Sequence, residues 1–242
     1  MIFSFLRISS FFTSSNILFP QGTPNAVKIS LCLFFSVIIS INTGIDVKVE
    51  NMYMLLSYGV LEILTGLFLG YITSICFNAI KIGGQLIDMQ MGLSMASMYD
   101  STSKTESTLM GNLIYWVGVL IFFAMNGHHV LIEGLQYSFK IIEIGTPIIS
   151  SNFDYLLKIF VEYFIIGFKI SIPVTLSLLV SELVMGLVSR SVPQFNVMIL
   201  GMPLKILTGV VFILTSLPFI INESHKLFGA LSQILSGTFN IR

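Results

Sequence analysis

Five apolar runs set the limits on this chain: Ala26 to Ile41, Tyr53 to Ile80, Leu109 to Met125, Tyr155 to Val188 and Val197 to Ile221. A helix crossing the hydrocarbon core of a bilayer needs about 20 such residues. The second and fourth runs are too long for one simple crossing, and Pro173 sits midway in the fourth, where it is expected to kink a helix or to separate two. The fold expected is an all-α membrane protein of five to seven long, partly kinked helices. The connecting tracts are short and polar, at Asn42 to Asn51, Asp100 to Thr108 and Gly145 to Asp154, and leave no room for a soluble domain.

Composition points the same way. Only 10% of the 242 residues are charged and 55% are hydrophobic, whereas soluble domains carry roughly a quarter of their residues as Asp, Glu, Lys and Arg. Twelve basic and twelve acidic residues cancel, which removes the electrostatic case for nucleic acid or for an acidic substrate. Cys32 and Cys76 are single thiols inside apolar runs and read as small buried hydrophobes. The start, MIFSFLRISSFFTSSN, has Arg7 and serines breaking its apolar tract and no small-residue cleavage site, so it reads as mature sequence. Lysines occur in nearly every connection, so the positive-inside rule does not orient the helices.

Charges inside apolar runs need an explanation. Glu62, Lys169, Glu182 and Lys205 all lie there, where an ionised side chain costs roughly 2.5 to 3.5 kcal/mol even on a lenient insertion scale. They are expected to pair structurally or to serve transport or assembly. Glu62 shares a helix face with Gly66 and Gly70, because steps of four return to one side, so GLFLG marks a close-packing face.

Catalytic patterns are poor. Gly92-Leu93-Ser94 with His128 or His129 is a weak case for an intramembrane serine hydrolase, since G-x-S arises often by chance and adjacent histidines sit about 100° apart on a helix. His129 and Glu133 stand four apart without an H-E-x-x-H motif, and KIGGQ lacks the spacing of a phosphate loop. No enzyme, cofactor or metal site is expected.

Three motifs carry a resemblance: GGQLIDMQMGLSMASMYD (Gly83 to Asp100), NGHHVLIEGLQYSF (Asn126 to Phe139) and LVMGLVSRSVPQFNVMILGMPLKILTG (Leu183 to Gly209). In this order they resemble the FliR family of flagellar export-gate proteins, which has a counterpart in type III secretion injectisomes. Arg7, Pro24 and Lys28 are similar to its N-terminal pattern, and Glu62, Gly66 and Gly70 to its E-x3-G-x3-G helix. ILGMPLKILTG and NGHH look closer to the flagellar branch. The chain departs from the family pattern at Ser101, where members often carry proline after the aspartate.

The resemblance implies a non-enzymatic subunit of a bacterial inner-membrane export gate in the flagellar basal body. Its helices would form tilted hairpins, folded only within a helical hetero-oligomer with FliP-type and FliQ-type subunits, beside FlhB- and FlhA-type proteins, around a channel for unfolded proteins. Residues 1–145 would be FliP-like and 146–242 FliQ-like. The segment 89–108 would seal the channel through Met89, Met91, Gly92, Met95, Met98 and Asp100. Methionine suits such a seal because it is unbranched and adaptable, and Met91, Met95 and Met98 are expected to form one helical stripe. Plain core packing is the competing account of that stripe. Lys169, Glu182, Arg190, Pro193, Gln194, Asn196, Pro203 and Lys205 would serve subunit assembly, the charges by pairing with partner helices. An independent small transporter using Glu62, Lys169 and Glu182 is the alternative that the charges alone suggest.

Overall fold

The computed structural model describes residues 1–15, 17, 19, 22–43, 51–94, 108–146, 153–191 and 197–237. They form seven helices and, among the described residues, no strand: α1 (Ile2–Ser14), α2 (Asn25–Thr43), α3 (Met52–Met91), α4 (Leu109–Ala124), α5 (Gly127–Ile141), α6 (Phe153–Ser191) and α7 (Val197–Gly237). Four are long and apolar enough to cross a membrane, or five if α4 and α5 count as one broken span. The chain is an all-α, multi-pass membrane protein.

Helices α3, α6 and α7 contain 40, 39 and 41 residues. At 1.5 Å per residue each is about 60 Å long, roughly twice the hydrocarbon thickness. Of the two outcomes expected at Pro173, a kink or a separation into two helices, the second does not occur, because α6 runs through it. Pro203 and Pro218 likewise lie inside α7. Near the first of these prolines, Ser177 Oγ donates to the Pro173 carbonyl at 2.7 Å and Thr175 Oγ1 to that of Ser171 at 3.0 Å. Asn126, at the break between α4 and α5, has φ 57°, a left-handed conformation that asparagine adopts more readily than most residues.

The chain divides into two compact units, one comprising 1–76, 125–160 and 228–242, the other 77–124 and 161–227. In the first, α1 lies along the Glu62, Gly66, Gly70 face of α3. A Cβ built on Gly70 would stand 2.6 Å from the Phe11 carbonyl oxygen and 2.7 Å from Ser14 Cβ, and one on Gly66 would overlap the Arg7 carbonyl and Ser10 Oγ. Helix α1 also packs on α2, with Phe12 edge-on to Phe19 at 5.2 Å between ring centroids.

In the second unit, α3 meets two neighbours through adjacent glycines. A Cβ on Gly83 would lie 2.7 Å from the Gly167 carbonyl oxygen of α6, and one on Gly84 would lie 2.6 Å from Gly111 Cα of α4. Consecutive residues are about 100° apart around a helix, so two glycines in sequence bring two different backbones into contact. Cys32 and Cys76 are free thiols, both buried.

Gly66→Ala should lower stability by about 1 to 3 kcal/mol, because the added methyl has no room without displacing α1. Gly229→Ala, where a Cβ meets nothing within 4 Å, should instead stabilise by up to about 1 kcal/mol, through helix propensity. Thermal unfolding of the two variants in detergent checks the contrast.

Candidate functional site

The first unit is organised around a buried ion pair. Arg7, fully buried on α1, donates from Nε to Glu62 Oε2 at 2.5 Å and from Nη2 to Oε1 at 2.9 Å, and Glu62 is itself buried on α3. This two-pronged geometry matches the flat guanidinium to the flat carboxylate. Two of the three remaining N–H groups are used as well: Nη1 bonds Ser138 Oγ at 3.2 Å and Nη2 bonds the Ile142 carbonyl at 3.3 Å. Both groups lie at the end of α5, whose carbonyl-rich terminus favours a cation. The Phe139 ring lies beneath, with Arg7 Cζ 4.2 Å from its centroid. One side chain thus ties α1, α3 and α5 together.

Desolvating either ion costs several kcal/mol, recovered only when the geometry is good and the leftover donors are satisfied. Both conditions hold here. The sequence showed that Glu62 needs a mate; its mate lies 55 residues away and is not readable from helical spacing.

In the second unit, the end of α3 and the start of α4 are joined by a residue that sequence reasoning passed over. Asp88 is fully buried, and its Oδ2 accepts from the backbone N–H groups of Met110 at 2.8 Å and Gly111 at 3.0 Å. It caps α4 from another helix, satisfying amides that no turn of α4 can reach and placing an anion at the positive end of the dipole. The signal for it was a lone acid in an otherwise uncharged stretch of GGQLIDMQMG.

The Met-rich stretch begins at this point. Met91 is fully buried and packs on Gly209 of α7, where an added Cβ would lie 2.7 Å from Met91 Cε, whereas Met89 is 66% exposed. Gly92 has φ +79° and ends α3. Met91, the first member of the expected stripe, is thus packed against α7 at the end of α3. Met95, Met98 and Asp100 lie outside the described residues.

Among the assembly residues, Lys205 Nζ bonds Glu182 Oε1 at 2.8 Å, and Gln90 Nε2 donates to Oε2 at 3.2 Å. These charges were expected to pair with partner helices, and the structure supplies a mate inside the chain. Glu182 nevertheless stays 52% exposed and Lys205 23%. Lys169 and Arg190 are exposed on α6, with Arg190 in its last turn, and Pro203 is exposed on α7. Among the described residues Lys169 has no ion-pair partner. Pro193, Gln194 and Asn196 lie outside the described residues.

Ser94 belongs to the second unit and His128 and His129 to the first. The two imidazole rings are 4.3 Å apart between centroids, closer than their offset around an ideal helix suggested. Among the described residues no three His, Cys, Asp or Glu side chains are grouped to hold a metal ion.

Substituting one member of the central pair, as in Arg7→Met or Glu62→Leu, should cost about 3 to 5 kcal/mol by leaving a buried charge unmatched. The double variant Arg7→Met/Glu62→Leu should lose less than the sum of the two single changes. Arg7→Lys should fail to restore the bidentate geometry. A double-mutant cycle followed by thermal unfolding measures all three effects.

Comparison with known proteins places this architecture. Residues 1–231 match the model of a family described as bacterial export proteins, family 1. The chain is 35% identical to the flagellar biosynthetic protein FliR of Bacillus subtilis (strain 168), over 93% of its own length and 88% of that protein. It is 34% identical to the protein of the same name from Aquifex aeolicus (strain VF5), over 91% and 86%. The secretion system apparatus protein SsaT of Salmonella typhimurium (strain LT2) is 26% identical over 69% of this chain and 67% of its own.

Proposed function

Because this chain belongs to the FliR family of bacterial export proteins, we propose that it is a non-enzymatic core subunit of the flagellar type III export gate. In this reading it lines, with FliP-type and FliQ-type subunits, a channel through the bacterial inner membrane at the flagellar basal body. Unfolded proteins pass through that channel, and FlhB- and FlhA-type proteins act beside it. Residues 1–145 take the FliP-like part and 146–242 the FliQ-like part. The observation that carries the reading is the family match along residues 1–231. Two features of the molecule support it. Helices of about 60 Å suit tilted packing in an assembly better than upright crossings of a bilayer. Long apolar faces on α6 and α7, including Leu183, Leu187, Leu207 and Leu214, are exposed and offer surface to neighbouring helices or lipid.

The Met-rich segment is the proposed seal. Helix α3 ends at Met91 and α4 begins at Leu109, where Asp88, one turn before the end of α3, holds the first amides of α4. These two helix ends are thereby held close together, as a plugging segment between them requires. Methionine and small residues in this segment would close the lumen and give way to many different unfolded chains. The Glu182 and Lys205 pair is the proposed assembly point: it is satisfied internally and still exposed, so an incoming polar group can bind it without opening an uncompensated charge.

The alternative of an independent transporter is disfavoured by the same pairings, since Glu62 is bound on both oxygens by Arg7 and Glu182 by Lys205 and Gln90.

Replacing Ser94 to Ser107 by a short Gly-Ser linker leaves Asp88, Met110 and Gly111 in place. With assembly confirmed, ion leak through membranes carrying the co-expressed gate should rise. Unchanged leak in an intact complex would assign the seal to another subunit, and failure of this chain to assemble with FliP-type and FliQ-type partners would overturn the gate reading itself.

A further inference from the structure

We propose that the groove between α1 and α2 is a binding site for an anionic phospholipid, taking its headgroup phosphate at Lys28 and part of an acyl chain against Phe12, Phe19 and Cys32. The groove encloses about 260 Å³ and is graded along its length. On α2, Asn25 and Lys28 stand in the first turns and Cys32 one turn further in. Steps of three and four keep these on one helix face, and the seven steps from Asn25 to Cys32 amount to a depth of about 10 Å. On the α1 side, Thr13 lines the same cavity at an exposed position. Phe12, Phe19 and Cys32 are each buried, and the two rings meet edge to face, forming an apolar wall.

Three features select the ligand. Lys28 lies in the first turn of a helix that is a candidate membrane span from Asn25 to Asn42, hence at interfacial depth, where phosphate headgroups reside. Among the described residues it makes no ion pair, and a cation near a helix N-terminus faces the positive end of the dipole, a penalty that a bound anion reverses. The volume falls just below that of sites enclosing a whole drug-sized molecule; it fits a length of hydrocarbon whose remainder runs on into the bilayer. Helix α2 has only 17% of its spanning window buried within the chain, so lipid has lateral access. A soluble anion would gain from Lys28 alone and leave the aromatic wall unused, which commits the site to a lipid source. This inference does not depend on the export reading.

The test uses the full chain in detergent micelles, titrated with phosphatidylglycerol, phosphatidylcholine or inorganic phosphate and read by native mass spectrometry. Phosphatidylglycerol should be retained about five-fold more tightly than phosphatidylcholine, the effect of one lysine near an anionic headgroup. Lys28→Gln should abolish that preference and Lys28→Arg should keep it. In a Cys76→Ser background, phosphatidylglycerol should slow maleimide labelling of Cys32 and inorganic phosphate should not. Ile29→Trp, at an exposed position on the groove rim, should block retention while leaving thermal unfolding of the lipid-free chain unchanged. Equal retention of the two lipids by the native chain would overturn the proposal. So would a Lys28→Gln variant with its preference intact, or protection of Cys32 by phosphate alone.

Discussion

A charge or backbone amide withdrawn from water must find its partner within the protein, and this requirement shapes the chain more than any other. Arg7 and Glu62 show the consequence. Each would be prohibitively costly alone in its buried place, and together with Ser138, the Ile142 carbonyl and Phe139 they fasten three helices at one point. The fastening depends on close approach: Glu62 reaches Arg7 because Gly66 and Gly70 let the backbone of α1 lie against α3. Small residues and the ion pair act as one device, the first supplying proximity and the second register.

The second unit solves the same problem with different groups. Asp88 satisfies the amides of α4 from a neighbouring helix, and Gly83, Gly84 and Gly167 bring the backbones of α3, α4 and α6 together. The same cap that completes α4 also holds the end of α3 beside the start of α4, so a structural necessity at a helix terminus becomes a mounting for the segment that the proposed gate requires. Met91 marks the boundary of that mounting, since it packs on Gly209 while Met89 faces outward.

Much of the architecture was legible in the sequence because hydropathy adds up locally. The apolar runs anticipated α2, α3, α4, α6 and α7 in order, and the break at Met125 and Asn126 coincides with the end of the third run. At Pro173 the sequence left a kink or a separation open, and the helix continues because one missing N–H is outweighed by a long apolar stretch. The site was less legible. Glu62 announced a need without naming its mate, and Asp88 drew no notice because a single acid carries no periodic pattern. Gly83 and Gly84 were read as the start of a family motif and dismissed as a phosphate loop, although their structural use is to meet two helices.

By itself the sequence determined the environment and the kind of element: long apolar windows with few charges dictate helices in lipid, because the backbone there must bond within its own segment. It also determined that certain charges required compensation. Only the tertiary structure decided which groups compensate which, pairing Arg7 with Glu62, Lys205 with Glu182 and Asp88 with the amides of α4. Burial and helix formation follow from the sum of nearby residues, whereas a hydrogen bond between distant segments depends on how whole helices cross. That crossing is set jointly by every small residue along their shared faces, and no single stretch of sequence contains it.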